Sequence, residues 1–127
     1  MDLSKILTIN GKSGLFKLIS KGKSNFIVES LIDRKRFPAF SHDGISSLDN
    51  IAIFTYEEDL SLADVFKAIH TKENGEKAPD ILKDTEKLKE YFEEVLPNYD
   101  KERVYAQNIK KVLTWYNLLH DEGLLDF

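Results

Sequence analysis

Two copies of the tripeptide Gly-Lys-Ser, at residues 11–13 and 22–24, are the first feature that could do chemistry. This tripeptide ends the phosphate-binding loop of many nucleotide-hydrolysing enzymes, in which another glycine stands earlier in the loop and a helix follows it. The positions for that earlier glycine hold Ile6 and Lys17, and strand-like sequence follows both copies. We therefore predict two hairpin turns with exposed lysines and no nucleotide site.

Other residue types that could take part in catalysis do not form a recognisable site. The chain has no cysteine, which excludes thiolate catalysis and cysteine-ligated metals. Its three histidines lack metal-ligand spacing, and the adjacent Ser41, His42 and Asp43 cannot form a triad because neighbouring side chains diverge. We expect no catalytic, metal-binding or cofactor-binding residues and no enzymatic activity, and a small-molecule hydrolase ranks last among the hypotheses.

A basic cluster is the most interesting feature of the first half of the chain. Its members, on predicted loops, are Lys12, Lys23, Arg34, Lys35 and Arg36. Basic loops with nearby aromatic side chains, here Phe37 and Phe40, are typical of single-stranded nucleic-acid binders. The alternative is a solvated hairpin tip whose phenylalanines belong to the core, and this alternative is favoured because the local charge excess is small.

The charge of the chain is divided unevenly along its length. Residues 1–56 carry eight basic and five acidic residues, whereas residues 57–127 carry ten basic and seventeen acidic ones. The two parts therefore have net charges of +3 and −7. This asymmetry predicts two units with different surfaces, and +3 is far below the charge of a committed nucleic-acid binder.

The last predicted helix contains a second candidate surface, in the sequence VLTWYNLLHDEGLL. Trp115 and Leu118 lie off the apolar line formed by Val112, Tyr116 and Leu119. The helix is therefore either the buried centre of a small helical domain or a helix whose second face contacts a partner. The core interpretation is favoured, and the contact surface stays open as the alternative.

The elements that would position these residues change character along the chain. Apolar alternation and turn residues in the first part predict short strands, and Pro38 restricts its strand to an edge or a bulge. Strands this short and apolar favour a small barrel. The predicted strands are residues 3–9, 15–21, 25–32, 36–40 and 51–56, the last being central, and residues 41–50 are a predicted loop.

Helical periodicity begins after residue 56. Ser61 with Asp64 resembles a capping box for a first helix ending near Lys72, and residues 73–80 have the composition of a linker. A second helix is expected from Asp84 or Thr85 to Pro97, and a third ends at Gly123. The predicted fold is α+β, with a barrel at 1–56, a connecting helix and linker at 57–79, and a helical domain at 80–127.

Two blocks of sequence resemble a known family. KILTINGKSGLFKLISKGKSNFIVESLIDRKRFPAF, followed by DIL and YFEEVLPNYDKERVYAQNIKKVLTWYNLL, is similar to small uncharacterised proteins of Bacteroidota that are described only as domains of unknown function. The resemblance covers residues 3–119. It implies an amino-terminal SH3-like barrel and a carboxy-terminal helical module, and it implies no activity, cofactor or catalytic residue.

These patterns lead to two hypotheses of different classes. The leading one is a non-enzymatic cytoplasmic interaction module whose partner is another protein, with Trp115 and Leu118 as candidate contacts. The alternative is an RNA- or DNA-binding protein that uses the basic cluster. The acidic Asp2 and the short apolar run at residues 6–9 favour the cytoplasm over secretion, and no stretch approaches the length of a membrane span.

Overall fold

The first part of the chain forms a five-stranded antiparallel sheet with the strand order β4-β3-β2-β1-β5. The computed structural model describes residues 1–127 and divides into a front unit, Met1–Ile51, and a back unit, Ala52–Phe127. The sheet belongs to the front unit. Its strands are β1 (Ile6–Ile9), β2 (Phe16–Lys21), β3 (Phe26–Ser30), β4 (Arg36–Ala39) and β5 (Ile45–Ser47).

Apolar residues that alternate along the strands share one face of this sheet and form the core of the front unit. Cross-strand neighbours on that face include Leu7 with Phe16 and Val28 with Phe37, as period-two alternation requires. The buried members are Leu7, Ile9, Phe16, Val28 and Ala39, and the partly buried Leu18, Phe26, Phe37 and Ile45 pack against them. The predicted hairpin of β2 and β3 is confirmed.

Both Gly-Lys-Ser copies lie in turns between antiparallel strands, as predicted. Gly11 follows β1 with a φ of +77°, a left-handed conformation that a side chain would strain. Gly22 follows β2, and a Cβ placed there would lie 2.5 Å from the Oδ1 atom of Asn25. Gly11 is therefore explained by its backbone conformation, and Gly22 by the close approach of the Asn25 side chain.

The sheet is not closed into a barrel, so the SH3-like closure expected from the sequence is not confirmed. Its edges are β4 and β5. Pro38 lies in β4 and has no N–H for a further strand, which agrees with the predicted edge position. The segment at residues 51–56, predicted as a central strand, does not enter this sheet. Ala52–Ile53 form a strand in a separate two-stranded ribbon, so the predicted central position is wrong.

The strand β5 was not expected, because residues 41–50 have the composition of a loop. Two short 3-10 turns, Ser41–Asp43 and Leu48–Asn50, flank it. Leu7, Thr8 and Ile9 pair with Ser47, Ser46 and Ile45 across the sheet. A serine-rich strand has little apolar alternation of its own, and it is specified by its distant partner.

The back unit contains a two-stranded ribbon and three helices. The ribbon pairs β6 (Ala52–Ile53) with β7 (Leu60–Ser61), and the helices are α1 (Leu62–Lys72), α2 (Thr85–Val95) and α3 (Ala106–Asp121). All three predicted helices are confirmed. With the front sheet they make the chain a mixed α+β protein.

The helix ends match the residues that predicted them. The Ser61 hydroxyl accepts a hydrogen bond from the Asp64 N–H at 3.2 Å, and the Asp84 carboxylate accepts one from the Lys87 N–H at 3.1 Å. Gly123 has a φ of +66°, and the Leu124 N–H donates to the Leu119 carbonyl at 2.9 Å. This arrangement closes α3 with a left-handed cap.

Side chains of α3 hold the connection between α1 and α2, whose composition predicts a linker. The Tyr116 hydroxyl donates to the Glu76 carbonyl at 2.7 Å. The Asn117 amide oxygen accepts from the Ala78 N–H at 2.8 Å, and its nitrogen donates to the Ala78 carbonyl at 3.3 Å. The His120 Nε2 atom lies 2.8 Å from the Gly75 carbonyl. Hydrogen bonds from side chains of α3 therefore hold the backbone of residues 75–78, between α1 and α2, in place.

Replacing Tyr116 tests this anchor through its pH dependence. Burial, with Glu73 and Glu76 nearby, raises the pKa of Tyr116 to about 12. A raised folded-state pKa gives stability that is present below about pH 10 and lost as the pH rises towards 12. Tyr116→Phe should lower the free energy of unfolding by about 1 kcal/mol near pH 8 through the lost hydrogen bond.

The variant should also lose less stability than the parent between about pH 8 and pH 11, because phenylalanine has no proton to release. Urea unfolding at both pH values measures the difference. Tyr105→Phe is the matched control, since Tyr105 is exposed, and should resemble the parent. Equal alkaline losses in the parent and Tyr116→Phe would contradict the assignment.

Candidate interaction surfaces

The antiparallel register brings most of the predicted basic cluster to one end of the front sheet. Phe16 at the start of β2 pairs with Ser30 at the end of β3, so the turn carrying Lys12 adjoins the turn carrying Arg34 and Lys35. Lys23 lies in the turn between β2 and β3, at the opposite end. The structure therefore groups Lys12 with residues 34–36 and separates Lys23 from them.

The turn between β3 and β4 has a fixed backbone. Arg34 adopts a left-handed φ of +64°, and its N–H donates to the Ser30 carbonyl at 2.9 Å. The Lys35 N–H donates to the Asp33 carboxylate at 3.0 Å, and the Ile32 N–H donates to the Ser30 hydroxyl at 3.2 Å. These hydrogen bonds satisfy the backbone N–H groups of the turn and fix the backbone positions from which the side chains of Ile32 and Lys35 extend.

An open pocket of about 500 Å³ lies between these two turns, and we call it the front pocket. Phe16 and Phe37 are among its lining residues and pack edge to face, with ring centroids 5.6 Å apart. The Lys12 ammonium lies 4.7 Å from the Phe37 centroid. The lining residues are Gly11, Lys12, Ser13, Phe16, Ser30, Ile32, Asp33, Lys35 and Phe37.

The cations near this pocket differ in how their charge is compensated. The Arg36 Nε atom pairs with the Glu29 carboxylate at 3.0 Å across β3 and β4. Lys12 and Lys35 have no carboxylate partner within ion-pair distance. The lining of the pocket therefore carries two ammonium groups without an ion-pair partner and one carboxylate, that of Asp33, which gives it a net charge of +1.

Trp115 and Leu118 are each half-buried on α3. Their exposure is intermediate between that of a core residue and that of a contact residue, the two alternatives predicted for them. The residues of the apolar line, Val112, Tyr116 and Leu119, are buried in the back unit. Part of each of the two candidate side chains thus stays accessible to solvent.

A surface that the sequence did not indicate lies on the back unit, and we call it the back patch. It consists of Phe54, Tyr56, Arg103 and Tyr105. The three aromatic side chains are 38%, 59% and 66% exposed. The Arg103 guanidinium carbon lies 4.3 Å from the Phe54 ring centroid, within the range of a cation–π contact. Large contiguous apolar patches are typical of protein contact sites, whereas single exposed apolar side chains are common on any surface.

Backbone pairing between residues 54–56 and 98–100 positions this patch. The Tyr56 N–H donates to the Asn98 carbonyl at 3.0 Å, and the Asp100 N–H donates to the Phe54 carbonyl at 2.9 Å. Thr55, between the two aromatics, is buried and bridges to Tyr99. Because side chains alternate along an extended segment, burial of Thr55 turns Phe54 and Tyr56 outward.

Asp100 holds Arg103 in the back patch. Its carboxylate accepts from the Arg103 Nε atom at 2.7 Å and from the Glu102 N–H at 3.0 Å. The hydrogen bond from Arg103 is the main cause that lowers the pKa of Asp100 below its ordinary value. Asp100 therefore caps the turn that follows it and also orients a cation over Phe54.

Two further properties bear on function. The structure contains no group of three or more histidine or acidic side chains that could hold a metal ion. None of its helices combines the length and the apolar character that crossing a membrane requires.

Fold and surfaces together define a two-unit α+β protein with a basic pocket on one unit and an aromatic patch on the other. Residues 51–119 match a family model described as Domain of unknown function (DUF6852), and residues 3–48 match one described as Domain of unknown function (DUF5606). The two matches meet near the division between the front and back units.

The chain belongs to the family described as Domain of unknown function (DUF6852), with the DUF5606 domain preceding it. It is also similar to a solved structure, a solution NMR structure from Bacteroides vulgatus determined in structural genomics. The two chains are 46% identical over 99% of this chain and 91% of that one, with a TM-score of 0.81. No protein with a curated description matches the chain. The resemblance to uncharacterised Bacteroidota proteins is confirmed.

Asp100→Asn tests the support of the back patch. A lowered folded-state pKa gives stability that is present above about pH 4 and lost as the pH falls through the folded-state pKa. The variant should therefore melt at a lower temperature than the parent near neutral pH, with the difference shrinking as the pH falls below the ordinary pKa of an aspartate side chain. Thermal unfolding followed by circular dichroism measures both. Asp126→Asn, at an exposed carboxyl-terminal position, is the control. A pH-independent difference would contradict the role of the Asp100 charge.

Proposed function

We propose that this chain is a non-enzymatic, cytoplasmic protein-interaction module whose partner is another protein. The observation that supports this proposal is the back patch, in which an oriented arginine lies over Phe54 and the side chains of Tyr56 and Tyr105 are exposed. Tyrosine, tryptophan and arginine are the residue types that contribute most to protein–protein binding energy. Trp115 and Leu118, half-buried on α3, are further candidate contacts.

The backbone under the patch favours tight recognition. Its segments are paired with each other, and the Tyr56 hydroxyl accepts a hydrogen bond from the Lys101 N–H at 3.2 Å. A partner would therefore not have to order these segments on binding. Since the ordering of loops and side chains reduces affinity, a preformed aromatic surface is well suited to a protein contact.

Charge favours a protein over a nucleic acid at this surface. Residues 57–127 carry a net charge of −7, which would repel a phosphate backbone. Arginine in an otherwise acidic unit suits a contact that combines an aromatic surface with a local cation.

RNA or DNA binding through the basic cluster is the alternative, and it has weaker support. Lys23 lies at the opposite end of the sheet from Lys12, and Arg36 is paired with Glu29. The cluster is thus smaller than its sequence indicates. The SH3-like character of the front unit stays a prediction from the resemblance; it would suit a peptide-binding role.

Site-specific photocrosslinking tests the leading proposal. A benzoylphenylalanine replacing Tyr105 should give one discrete protein adduct in native lysate, and the adduct should survive nuclease treatment. The same group at Glu90, exposed on α2, is the matched control and should give none. Arg103→Ala should reduce the yield of the adduct about fivefold or more, because truncating a central contact residue costs at least about 1 kcal/mol.

Two results would count against this function. Equal adducts from the Tyr105 and Glu90 positions would mean that the patch is not a specific surface. An adduct that nuclease removes would point to nucleic acid as the bridge. Circular dichroism of Arg103→Ala establishes that any loss of the adduct does not come from unfolding.

A further inference from the structure

We propose that the front pocket binds an acidic peptide segment, with a carboxylate between Lys12 and Lys35 and a neighbouring apolar side chain against Ile32. This inference goes beyond the proposed function of the back patch, since it concerns the front unit and names the chemistry of the bound segment. It rests on three properties of the pocket: uncompensated charge, an apolar wall and a fixed backbone.

The two ammonium groups of the pocket favour the binding of an anion. Lys12 and Lys35 line it together, and neither has a carboxylate partner within ion-pair distance. The one acidic residue of the lining, Asp33, accepts the N–H of Lys35, so two ammonium groups face one carboxylate and the net charge of the lining is +1. A carboxylate placed between two ammonium groups in a concave surface gains more than it would beside a single exposed lysine.

The apolar residues that line the pocket favour a ligand with an apolar group beside its anion. Phe16 and Phe37 form an edge-to-face pair among the lining residues. Ile32 is 61% exposed in a turn whose other exposed residues are polar, and it also lines the pocket. An acidic segment that contains leucine or a similar residue would cover Ile32 while its carboxylate reaches the lysines.

The backbone under the pocket is already fixed before binding. The Ile32 N–H is bound to the Ser30 hydroxyl, and the Arg34 N–H to the Ser30 carbonyl. Little ordering of the turn is then required, which favours binding of a short segment.

The same geometry disfavours a nucleic acid. Single-stranded binders stack bases on open aromatic faces and follow the backbone with a line of cations. In this pocket Lys12 covers one face of Phe37, and Phe16 packs edge to face with it. Lys23 lies at the far end of the sheet, so the cations do not form a line. A compact carboxylate fits this arrangement better than a phosphate chain.

The test is a titration of the full-length, isotope-labelled chain with three probes, followed by NMR. The first is a short capped peptide alternating glutamate with leucine, the second has glutamine for every glutamate, and the third is a thymidine oligonucleotide. The glutamate peptide should shift the amides of residues 11–13 and 32–37 and bind more weakly as salt rises. The other two probes should not bind.

Lysine variants assign the binding to the pocket. Lys12→Gln with Lys35→Gln should weaken the glutamate peptide at least about threefold, the loss expected for two solvent-exposed charge pairs. Lys23→Gln is the matched control at the opposite turn and should leave affinity unchanged.

Three results of the titration would overturn the proposal: equal binding of the glutamate and glutamine peptides, binding of the oligonucleotide alone, or no binding of the glutamate peptide. An equal loss of affinity for the glutamate peptide in Lys23→Gln would overturn it as well. The Tyr105 crosslink of the back patch should persist in the Lys12 and Lys35 double variant. The two proposals therefore fail independently.

Discussion

The antiparallel pairing of residues 54–56 with residues 98–100 is the constraint on which much of this protein depends. It commits an apolar segment to the back unit, where Thr55 is buried against Tyr99. That segment is then unavailable to the front sheet, which stays open with β4 and β5 as its edges. The pairing also turns Phe54 and Tyr56 to solvent. One set of backbone hydrogen bonds thus keeps this segment in the back unit and positions the aromatic side chains of the back patch.

Polar groups organise the back unit as much as its apolar core does. The side chains of Tyr116 and Asn117, on α3, form hydrogen bonds to the backbone of the connection between α1 and α2. These bonds hold that charged segment in a single conformation. Asp100 likewise fixes the loop before α3. Its carboxylate accepts hydrogen bonds from two backbone N–H groups and from the Arg103 side chain. Since buried polar groups without partners are costly, such contacts favour one arrangement over many similar ones.

Local signals in the sequence were sufficient for the helices and for most strands of the front sheet, and insufficient for β5 and for the pairing of distant segments. Ser61, Asp84 and Gly123 predict helix ends because each acts on groups a few residues away. The strand β5 and the position of residues 51–56 depend on contacts distant in sequence, which periodicity does not encode. For the same reason the density of lysine and arginine identified the basic cluster, whereas only the register separates Lys23 from it. The back patch was missed because Phe54 and Tyr56 match the pattern of a buried strand as well as that of an exposed one.

The proline in β4 has a consequence for how the front unit can be recognised. A free sheet edge invites another chain to add a strand, either as a ligand or in an aggregate. Pro38 removes a backbone donor from one edge, and β5 at the other edge is only three residues long. Strand addition is therefore disfavoured at both edges. Recognition by the front unit therefore depends on side chains in its loops, which can change without disturbing the backbone pairing of the sheet.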